Sequence, residues 1–546
     1  MNVDENELGS FKNKKGEIKM NDRNLAKFLV QRIEKAPDKT FLQFLDQKIT
    51  YQELSERMAR SAYGFKELGI KKGNTICVMM DNSPEYLDVW FGLNALGAIL
   101  VPINVHLKGE GLQYILGHSD CKAIVAHEKY MAQITACLTT LPKDIQLILH
   151  TDATNVAMNE SHVKLSDLLS NTEKKLPQID LPGTTTSSIL YTSGTTGPPK
   201  GVMLSHQAYI HSAKEFAERM VGVREGDILF TTLPLFHINA QAHTVLGGIH
   251  SNASIALSDR FSASRFWDEI RNYKATIFNS LGSMIPILCK QPEKENDHDN
   301  PARITACAAT PKEFWKRFEE RFNVKIVEGY GLTETTGFCV ANPIDKSRIP
   351  SIGKPFPFIE TKIADENGKR LQVREVGEIF IRTLKENTMM KGYYKMRNKT
   401  EEAMLDGWFR TGDLGYEDED GYFYFSDRLK QCIRRRGENI SSWEVEKVIN
   451  DHPKVLESAA IGVPSEVGEE DVMVFVILKE GEKLAYDQLI EWCEDKMAYF
   501  MIPRYIQYVD YFPKTATERI QKFKLQEQGA SEAWDREKVL GRTRRI

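Results

Sequence analysis

Small hydroxyl residues and glycines crowd together between Tyr191 and Val202, in the order Tyr-Thr-Ser-Gly-Thr-Thr-Gly-Pro-Pro-Lys-Gly-Val. The run follows a short apolar segment at 188–190 that is typical of a strand. Glycines let a backbone approach an anion closely, and backbone N–H groups together with hydroxyls can surround phosphate oxygens. The pattern therefore predicts a phosphate-binding loop rather than a flexible linker. It is not a Walker A loop, because GxxxxGK[ST] is absent.

A second cluster with chemical potential lies at 328–334 and reads Glu-Gly-Tyr-Gly-Leu-Thr-Glu. The glycines on either side of Tyr330 allow a ligand to approach closely. An aromatic face suits a nucleotide base, and the carboxylate of Glu334 suits a hard cation such as Mg²⁺. A Gly-Tyr-Gly turn alone is more often structural, but beside a phosphate loop it favours a nucleotide site.

Further motifs follow in a fixed order. They are Leu-Pro-Leu-Phe-His-Ile-Asn-Ala at 233–240, Gly-Trp-Phe-Arg-Thr-Gly-Asp at 407–413 and RRRGENIS at 434–441. Together with the phosphate loop they resemble the signatures of the adenylate-forming superfamily, which contains acyl-CoA synthetases, peptide-synthetase adenylation domains and luciferases. The resemblance covers roughly residues 24–525. The RRRGENIS segment is most similar to the crotonobetaine/carnitine–CoA ligase branch.

The resemblance implies a set of site residues. Nucleotide contacts would come from Thr192, Ser193, Gly194, Thr195, Thr196, Gly197, Ala308, Ala309, Thr310, Glu328, Gly329, Tyr330, Gly331, Thr333, Asp413 and Arg428. Catalytic groups would be Lys200, Thr333, Glu334, His237, Arg519 and Lys522, with Mg²⁺ on Glu334 and a hinge at Lys430. CoA would contact Arg435, Arg436, Gly437 and Glu438. The acid would lie against Phe236, His237, Asn239, Asn279 and Gly282.

The chain departs from the superfamily pattern near its C-terminal end. The usual frame there is PxTxxGKIxK, and residues 513–522 read Pro-Lys-Thr-Ala-Thr-Glu-Arg-Ile-Gln-Lys. Arg519 thus stands where the lysine that holds carboxylate and α-phosphate is expected, and the two residue types differ in geometry and reach. Arg519 can bridge carboxylate and phosphate through two hydrogen bonds, or Lys522 or Lys524 can take over. The sequence predicts slow adenylation or an altered clamp.

The implied reaction is ATP-dependent acid–CoA ligation, which forms an acyl-adenylate and then an acyl-CoA thioester with release of pyrophosphate and AMP. Amide and hydroxyl groups among the expected pocket residues favour a small or polar acid, such as a carnitine-like betaine or a short-chain acid. Three alternatives remain open: an acyl-AMP ligase that loads a separate carrier protein, a luciferase-like oxygenase, and a nucleotide-binding homologue with impaired adenylation.

Strand-like and helix-like segments alternate in the first part of the chain, which predicts an α/β fold with a largely parallel sheet. Thr50 and Glu53 form a candidate capping box at a helix start. After about residue 350, short segments and acidic turns at 365–368 and 418–421 indicate hairpins. We expect a loose leader at 1–19, a large domain of layered α/β subdomains plus a β-rich part at 20–427, a hinge at 428–430, and a small mobile α/β domain at 431–546.

Composition narrows the class of protein. The chain has 546 residues, which is too many for one hydrophobic core. Its net charge is −4, so no nucleic-acid or membrane partner is expected. Its 8 cysteines include no CxxC pair, which favours reduced thiols over a zinc site or a disulfide framework. A polar start without a signal peptide and no long apolar run predict a cytoplasmic protein without a membrane span.

Overall fold

Two large sheets dominate the first two thirds of the molecule. The computed structural model describes residues 24–139, 141–142, 145–150, 162–192, 198–428, 432–513 and 520–539. Within these ranges, a nine-stranded sheet runs in the spatial order Lys354–Pro355, Gly337–Ala341, Lys325–Leu332, Ile304–Ala308, Ile277–Leu281, Ile228–Thr231, Ser254–Leu257, Thr40–Phe44 and Gln47–Thr50. Its strands from Lys325–Leu332 to Thr40–Phe44 are parallel, and its edges are antiparallel.

The second large sheet has seven strands in the described chain. Their spatial order is His162–Lys164, Gln146–His150, Ala123–His127, Thr75–Met79, Ile99–Pro102, Thr186–Thr192 and Lys200–Ser205. All neighbours pair in parallel except the last two strands, which form an antiparallel hairpin around the glycine-rich segment. The predicted α/β class with a largely parallel sheet is confirmed.

Helices cover both sheets and join them through one core. The α-helices are Leu25–Lys35, Tyr51–Glu67, Pro84–Leu96, Gly109–His118, Met131–Leu138, Leu165–Leu169, His206–Glu215, Leu246–His250, Phe266–Tyr273, Met284–Cys289, Lys312–Phe322, Arg397–Glu402, Ser442–Asn450, Tyr486–Glu494, Lys522–Gln528 and Arg536–Val539. Two π-helical segments span Phe216–Met220 and Asn239–Val245, and 3₁₀ turns span Glu128–Tyr130 and Ile344–Lys346. A single buried cluster combines apolar residues of both sheets with those of the first helices, so the predicted layering is confirmed.

Side-chain caps mark the starts of the first two helices, and the second of these starts is the one that the sequence predicts. Asn24 accepts the N–H of Lys27 before the first helix. Thr50 and Glu53 form the predicted capping box, in which Glu53 Oε2 accepts the Thr50 N–H at 2.7 Å. Because each cap satisfies backbone donors that the helix itself leaves unpaired, these starts are encoded by neighbouring residues.

The β-rich part and the C-terminal unit complete the fold. A five-stranded antiparallel sheet comprises Ile359–Ala364, Gly377–Thr383, Trp408–Glu417, Met404–Leu405 and Phe423–Arg428. The predicted hairpin at 418–421 joins its last two long strands. The C-terminal unit holds the two-stranded hairpin Cys432–Arg435 and Glu438–Ser441 and the four-stranded sheet Val455–Pro464, Glu470–Leu478, Tyr505–Tyr508 and Trp534–Asp535. The predicted domain bounds and leader stay predictions. No helix in the described ranges is long and apolar enough to cross a membrane.

Three histidines in the large domain are buried and should make stability depend on pH. Burial lowers the pKa of His206, His211 and His243 to about 3, and nearby lysines add to the effect at the first two. The ordinary value is 6.5, so below it the unfolded chain binds protons that the folded chain does not. Stability is therefore lost as pH falls, by about 2 kcal/mol per histidine between pH 6.5 and pH 5.

We expect the thermal unfolding temperature to fall between about pH 7.5 and pH 5. The variant His211→Gln should lose less over this interval than the wild type, because one of the three groups is gone. The exposed His298 gives a matched control, His298→Gln, with the wild-type slope. An unchanged slope in His211→Gln would contradict the assignment.

Candidate active site

A cleft of about 860 Å³ opens where the parallel strands end. The segments that follow Ile228–Thr231 and Ile277–Leu281 line one wall, together with Ala308 at the end of Ile304–Ala308. In open α/β sheets, the carboxyl ends of strands are the usual place for ligands. The β-rich part adds residues 409–413, and the C-terminal hairpin adds residues 434 and 436–439. Every sheet of the described chain except the four-stranded sheet of the C-terminal unit therefore contributes to one site.

The glycine-rich loop connects the two strands of a hairpin at the cleft. Thr192 pairs with Lys200 across this hairpin, and both residues line the cleft. Ser193, Gly194, Thr195, Thr196 and Gly197 lie outside the described residues, so their predicted phosphate contacts stay predictions. The two residues that flank this segment, Thr192 and Lys200, are therefore the part of the motif that the structure places at the cleft.

A tyrosine links the two charged groups that the sequence predicts to act on phosphate. Lys200 Nζ donates to Tyr393 Oη at 3.2 Å, and this hydroxyl donates to Glu334 Oε1 at 2.9 Å. The Lys200 ammonium also lies 4.4 Å from the centroid of the Tyr393 ring. Burial and the Glu334 carboxylate raise the pKa of Tyr393 well above its usual value, so the hydroxyl stays a donor. Tyr393 was missed in the sequence, where its only signal is an aromatic pair after Gly392.

Glu334 has the chemistry of a magnesium ligand. Its side chain is almost fully buried and lines the cleft, and Tyr393 engages only Oε1. Mg²⁺ is usually held by one or two carboxylates together with substrate phosphates and waters. No cluster of three or more acidic, histidine or cysteine ligands occurs in the described ranges. The residues present fit an ion that is shared with phosphates.

A second tyrosine holds the carboxylate predicted to bind ribose. Tyr330 Oη donates to Asp413 Oδ2 at 2.6 Å, and Asp413 is 2% exposed. Asp413 lines the cleft, and Arg428 stands opposite it in the neighbouring strand. Gly331, Thr333 and Glu334 form the adjoining surface. The contact fixes Asp413, while the predicted place of Tyr330 beside a base stays a prediction.

Glu328 supports the predicted adenine segment from behind. Its carboxylate accepts the N–H of Ala309 at 2.6 Å and both the N–H and the hydroxyl of Thr310. Burial raises the pKa of Glu328 to about 7, although these hydrogen bonds act to lower it. Ala309 adopts a positive φ of 62°, and Ala308 lines the cleft. Glu328 therefore shapes the loop rather than facing the ligand.

The structure places some of the residues predicted to contact the acid at the surface of the cleft and others behind it. Phe236, His237 and Asn239 line the cleft. Asn279 is buried and donates its amide to Asn239 Oδ1 at 2.5 Å, so it positions a lining residue instead of lining the cleft itself. Gly282 also lies behind the surface: a Cβ there would sit 1.8 Å from the carbonyl oxygen of Ala309. The absence of a side chain at Gly282 allows the ends of the strands Ile277–Leu281 and Ile304–Ala308 to pack closely.

Further apolar side chains complete this wall. Leu281, Met284, Ile287 and Phe338 line the cleft. The buried His243 stacks on Phe338 with ring centroids 4.6 Å apart, and its Nε2 accepts the Phe338 N–H at 3.2 Å. Only the tertiary contact could reveal His243, because its sequence neighbourhood carries no motif.

The C-terminal hairpin reaches the cleft with its tip. Glu438 Oε1 lies 3.1 Å from His237 Nε2 and accepts the Asn104 amide at 3.0 Å. Burial acts to raise the pKa of Glu438, but His237, His106 and Asn104 outweigh it and hold this pKa below its usual value. Gly437 packs against Leu281 so closely that a Cβ would lie 2.2 Å from Leu281 Cδ1.

Two residues predicted to act in the site, Arg435 and Lys522, form ion pairs within the C-terminal unit instead. Two others, Arg519 and Lys430, lie outside the described residues. Arg435 is 3% exposed and forms an ion pair with Asp471 at 2.8 Å, so its guanidinium serves the C-terminal core and the prediction that it binds CoA is not supported. Lys522 pairs with Glu446 at 2.5 Å in the same unit, away from the cleft. Arg436, by contrast, lines the cleft.

Layered parallel sheets, a phosphate-loop hairpin and a ribose-type carboxylate under a small C-terminal unit define a nucleotide-dependent α/β enzyme. The AMP-binding enzyme family matches residues 29–394, and the AMP-binding enzyme C-terminal domain matches residues 444–519. The chain belongs to this family of adenylate-forming enzymes, and its class is that of AMP-forming acyl-CoA ligases.

Individual relatives agree with this placement. A crotonobetaine/carnitine–CoA ligase of Salmonella paratyphi B is 33% identical over 507 residues, which cover 89% of this chain and 96% of that protein. An anthranilate CoA ligase in complex with anthranoyl-AMP has a TM-score of 0.72 at 27% identity, over 94% of this chain and 99% of its own. An o-succinylbenzoate CoA synthetase of Bacillus subtilis shares the fold, with a TM-score of 0.79 at 24% identity over 92% of this chain and 98% of its own.

Proposed function

We propose that this protein activates a small or polar carboxylic acid with ATP and transfers the acyl group to coenzyme A, releasing pyrophosphate and AMP. The observation that carries the proposal is the chain of contacts Lys200–Tyr393–Glu334 in the cleft that Asp413 also lines. It brings a cation and a metal-type carboxylate to the place where the phosphate-loop hairpin ends. The hairpin tip at Glu438 reaches the same cleft beside His237.

The side chains divide the first step between them. Attack of the carboxylate on the α-phosphorus needs alignment and neutralisation of charge rather than covalent help from the protein. Lys200 neutralises phosphate charge, and Asp413 orients the ribose through its fixed carboxylate. Mg²⁺, when bound at Glu334, supplies charge neutralisation on the phosphates. Tyr393 keeps Glu334 and Lys200 at a set separation.

The second step uses the wall that faces the C-terminal hairpin. The thiol of CoA is the nucleophile, so no protein cysteine has to react. Glu438 and Gly437 close the cleft beside His237 and Leu281. Arg436, which is partly exposed and lines the cleft, offers a cation to a polyphosphate ligand. Arg435 plays no part in this proposal.

A carnitine-like betaine or a short-chain acid is the proposed substrate. Support comes from the 33% identity to a crotonobetaine/carnitine–CoA ligase. The cleft also combines the aromatic rings of Phe236 and Phe261 with the carboxylates of Asp81 and Asp259. Aromatic faces and carboxylates are the groups that attract a quaternary ammonium. A cytoplasmic location belongs to the same proposal, and it is supported by seven described cysteines that are buried and are not joined in disulfides.

The test is AMP release from ATP with a panel of acids, each with and without CoA. The panel contains carnitine, crotonobetaine, and short and medium fatty acids. We expect AMP that depends on both acid and CoA, with the betaines or short acids preferred. AMP that forms with acid but without CoA would come from hydrolysis of the acyl-adenylate, and it would contradict CoA as the acceptor that turnover requires. No AMP with any acid would contradict the ligase proposal and favour a clamp disabled at Arg519.

A further inference from the structure

The tip of the C-terminal hairpin is a tight turn with an unusual backbone. Arg436 and Gly437 have φ values of 52° and 83°, and the flanking residues Arg435 and Glu438 pair across the hairpin. Two central residues with positive φ define a type I′ turn. Positive φ is unfavourable for a residue other than glycine, so Arg436 needs support from outside the turn.

That support comes from Glu469, in the loop between the strands Val455–Pro464 and Glu470–Leu478. Glu469 Oε2 accepts the N–H of Gly437 at 2.8 Å, and Oε1 lies 3.4 Å from Arg434 Nε. The Glu469 side chain is 3% exposed. One carboxylate therefore holds both the backbone of the turn, at Gly437, and the side chain of Arg434 in the preceding strand.

Glu469 occupies a position that its own backbone does not favour. Its φ is +57°, a conformation in which glycine or asparagine is easier than glutamate. A buried carboxylate also costs free energy unless it is paired and hydrogen-bonded. Both costs are present for a side chain that accepts the Gly437 N–H and pairs with Arg434, which indicates that its role is to hold the hairpin turn.

The loop that carries Glu469 also touches the large domain. Lys290 Nζ donates to the carbonyl of Glu466 at 2.7 Å, and Gly468 lies against Pro311. The same loop therefore joins the hairpin tip to the wall of the cleft. From these contacts we propose that Glu469 is a positioning residue for the CoA-dependent half-reaction: it fixes the turn so that Gly437 and Glu438 seat against Leu281 and His237. The inference rests on the proposed function.

The experiment separates the two half-reactions in the full-length enzyme. Acid-dependent ATP–pyrophosphate exchange without CoA reports the first, and single-turnover thioester formation reports the second. We expect Glu469→Ala to change exchange less than about 3-fold and to slow thioester formation about 10-fold or more. Glu469→Gln should recover most of this loss, because its amide oxygen can still accept the Gly437 N–H. Glu466→Ala, in the same loop but with an exposed side chain, is the matched control.

A merely structural role would give a different pattern. Equal losses in both half-reactions, or wild-type thioester formation in Glu469→Ala, would overturn the inference. Amide hydrogen exchange of the 432–441 peptide gives a second readout, and it should accelerate in Glu469→Ala but not in Glu469→Gln. A wild type that makes no CoA thioester with any acid would instead refute the proposed function itself, and the inference with it.

Discussion

Replacing Glu334 by glutamine is expected to lower acid-dependent ATP–pyrophosphate exchange by about 100-fold or more. The glutamine keeps the size of the side chain and an oxygen that accepts the Tyr393 hydroxyl, which lies 2.9 Å from Glu334 Oε1 in the wild type. It removes the negative charge that suits Mg²⁺ in a buried position. The loss should appear in kcat more than in the KM for the acid, because the residues that line the proposed acid pocket are unchanged.

Two variants sharpen this prediction. Tyr393→Phe removes the hydroxyl between Lys200 and Glu334 but neither charge, and a smaller loss of about 10-fold is expected. Glu401→Gln removes an exposed carboxylate that pairs with Arg397 outside the cleft, and exchange should stay at the wild-type level. Raising Mg²⁺ should recover part of the Glu334→Gln loss. Full exchange activity in Glu334→Gln would exclude this carboxylate as the metal ligand.

Replacing Gly437 by alanine should block the second half-reaction while sparing the first. The residue has a φ of 83°, and a Cβ would lie 2.2 Å from Leu281 Cδ1. The contacted atom is the end of a flexible side chain and can move, but the positive φ remains unfavourable for alanine. We expect thioester formation to fall about 50-fold and pyrophosphate exchange to change less than about 3-fold.

Leu281→Ala separates the two causes. If the clash matters, the double variant Leu281→Ala/Gly437→Ala should form thioester faster than Gly437→Ala alone. If the backbone strain dominates, the double variant should be no faster. The prediction for Gly437→Ala is contradicted if thioester formation and pyrophosphate exchange fall together, because the tip would then serve both steps or general stability.

The rates of the two half-reactions also test the effect of Arg519, where the chain differs from the superfamily pattern. Arg519 stands where the superfamily pattern has a lysine, and Lys522 is engaged by Glu446. A slow exchange rate in the wild type would agree with an altered clamp, whereas a fast one would mean that Arg519 or Lys524 takes the place of the usual lysine. The ratio of the two half-reaction rates therefore says whether adenylation limits turnover.

The sequence by itself determined the elements and the order of the motifs. Helix starts at Asn24 and Thr50 follow from caps that neighbouring residues complete, and the hairpin at 418–421 follows from its turn residues. Such signals act over a few residues, so they can be read without the fold. The phosphate loop and the Glu334 segment are likewise predictions from contiguous residues.

Only the tertiary structure decided which side chains face the cleft. Tyr393 meets Lys200 across 193 positions of sequence, and no local pattern predicts that contact. Asn279 and Gly282 sit at the expected strand end, yet packing turns one towards Asn239 and presses the other against Ala309. Arg435 points into the C-terminal core because Asp471 lies there. Residue type and spacing specify chemistry, but burial and distant partners specify which groups are free to perform it.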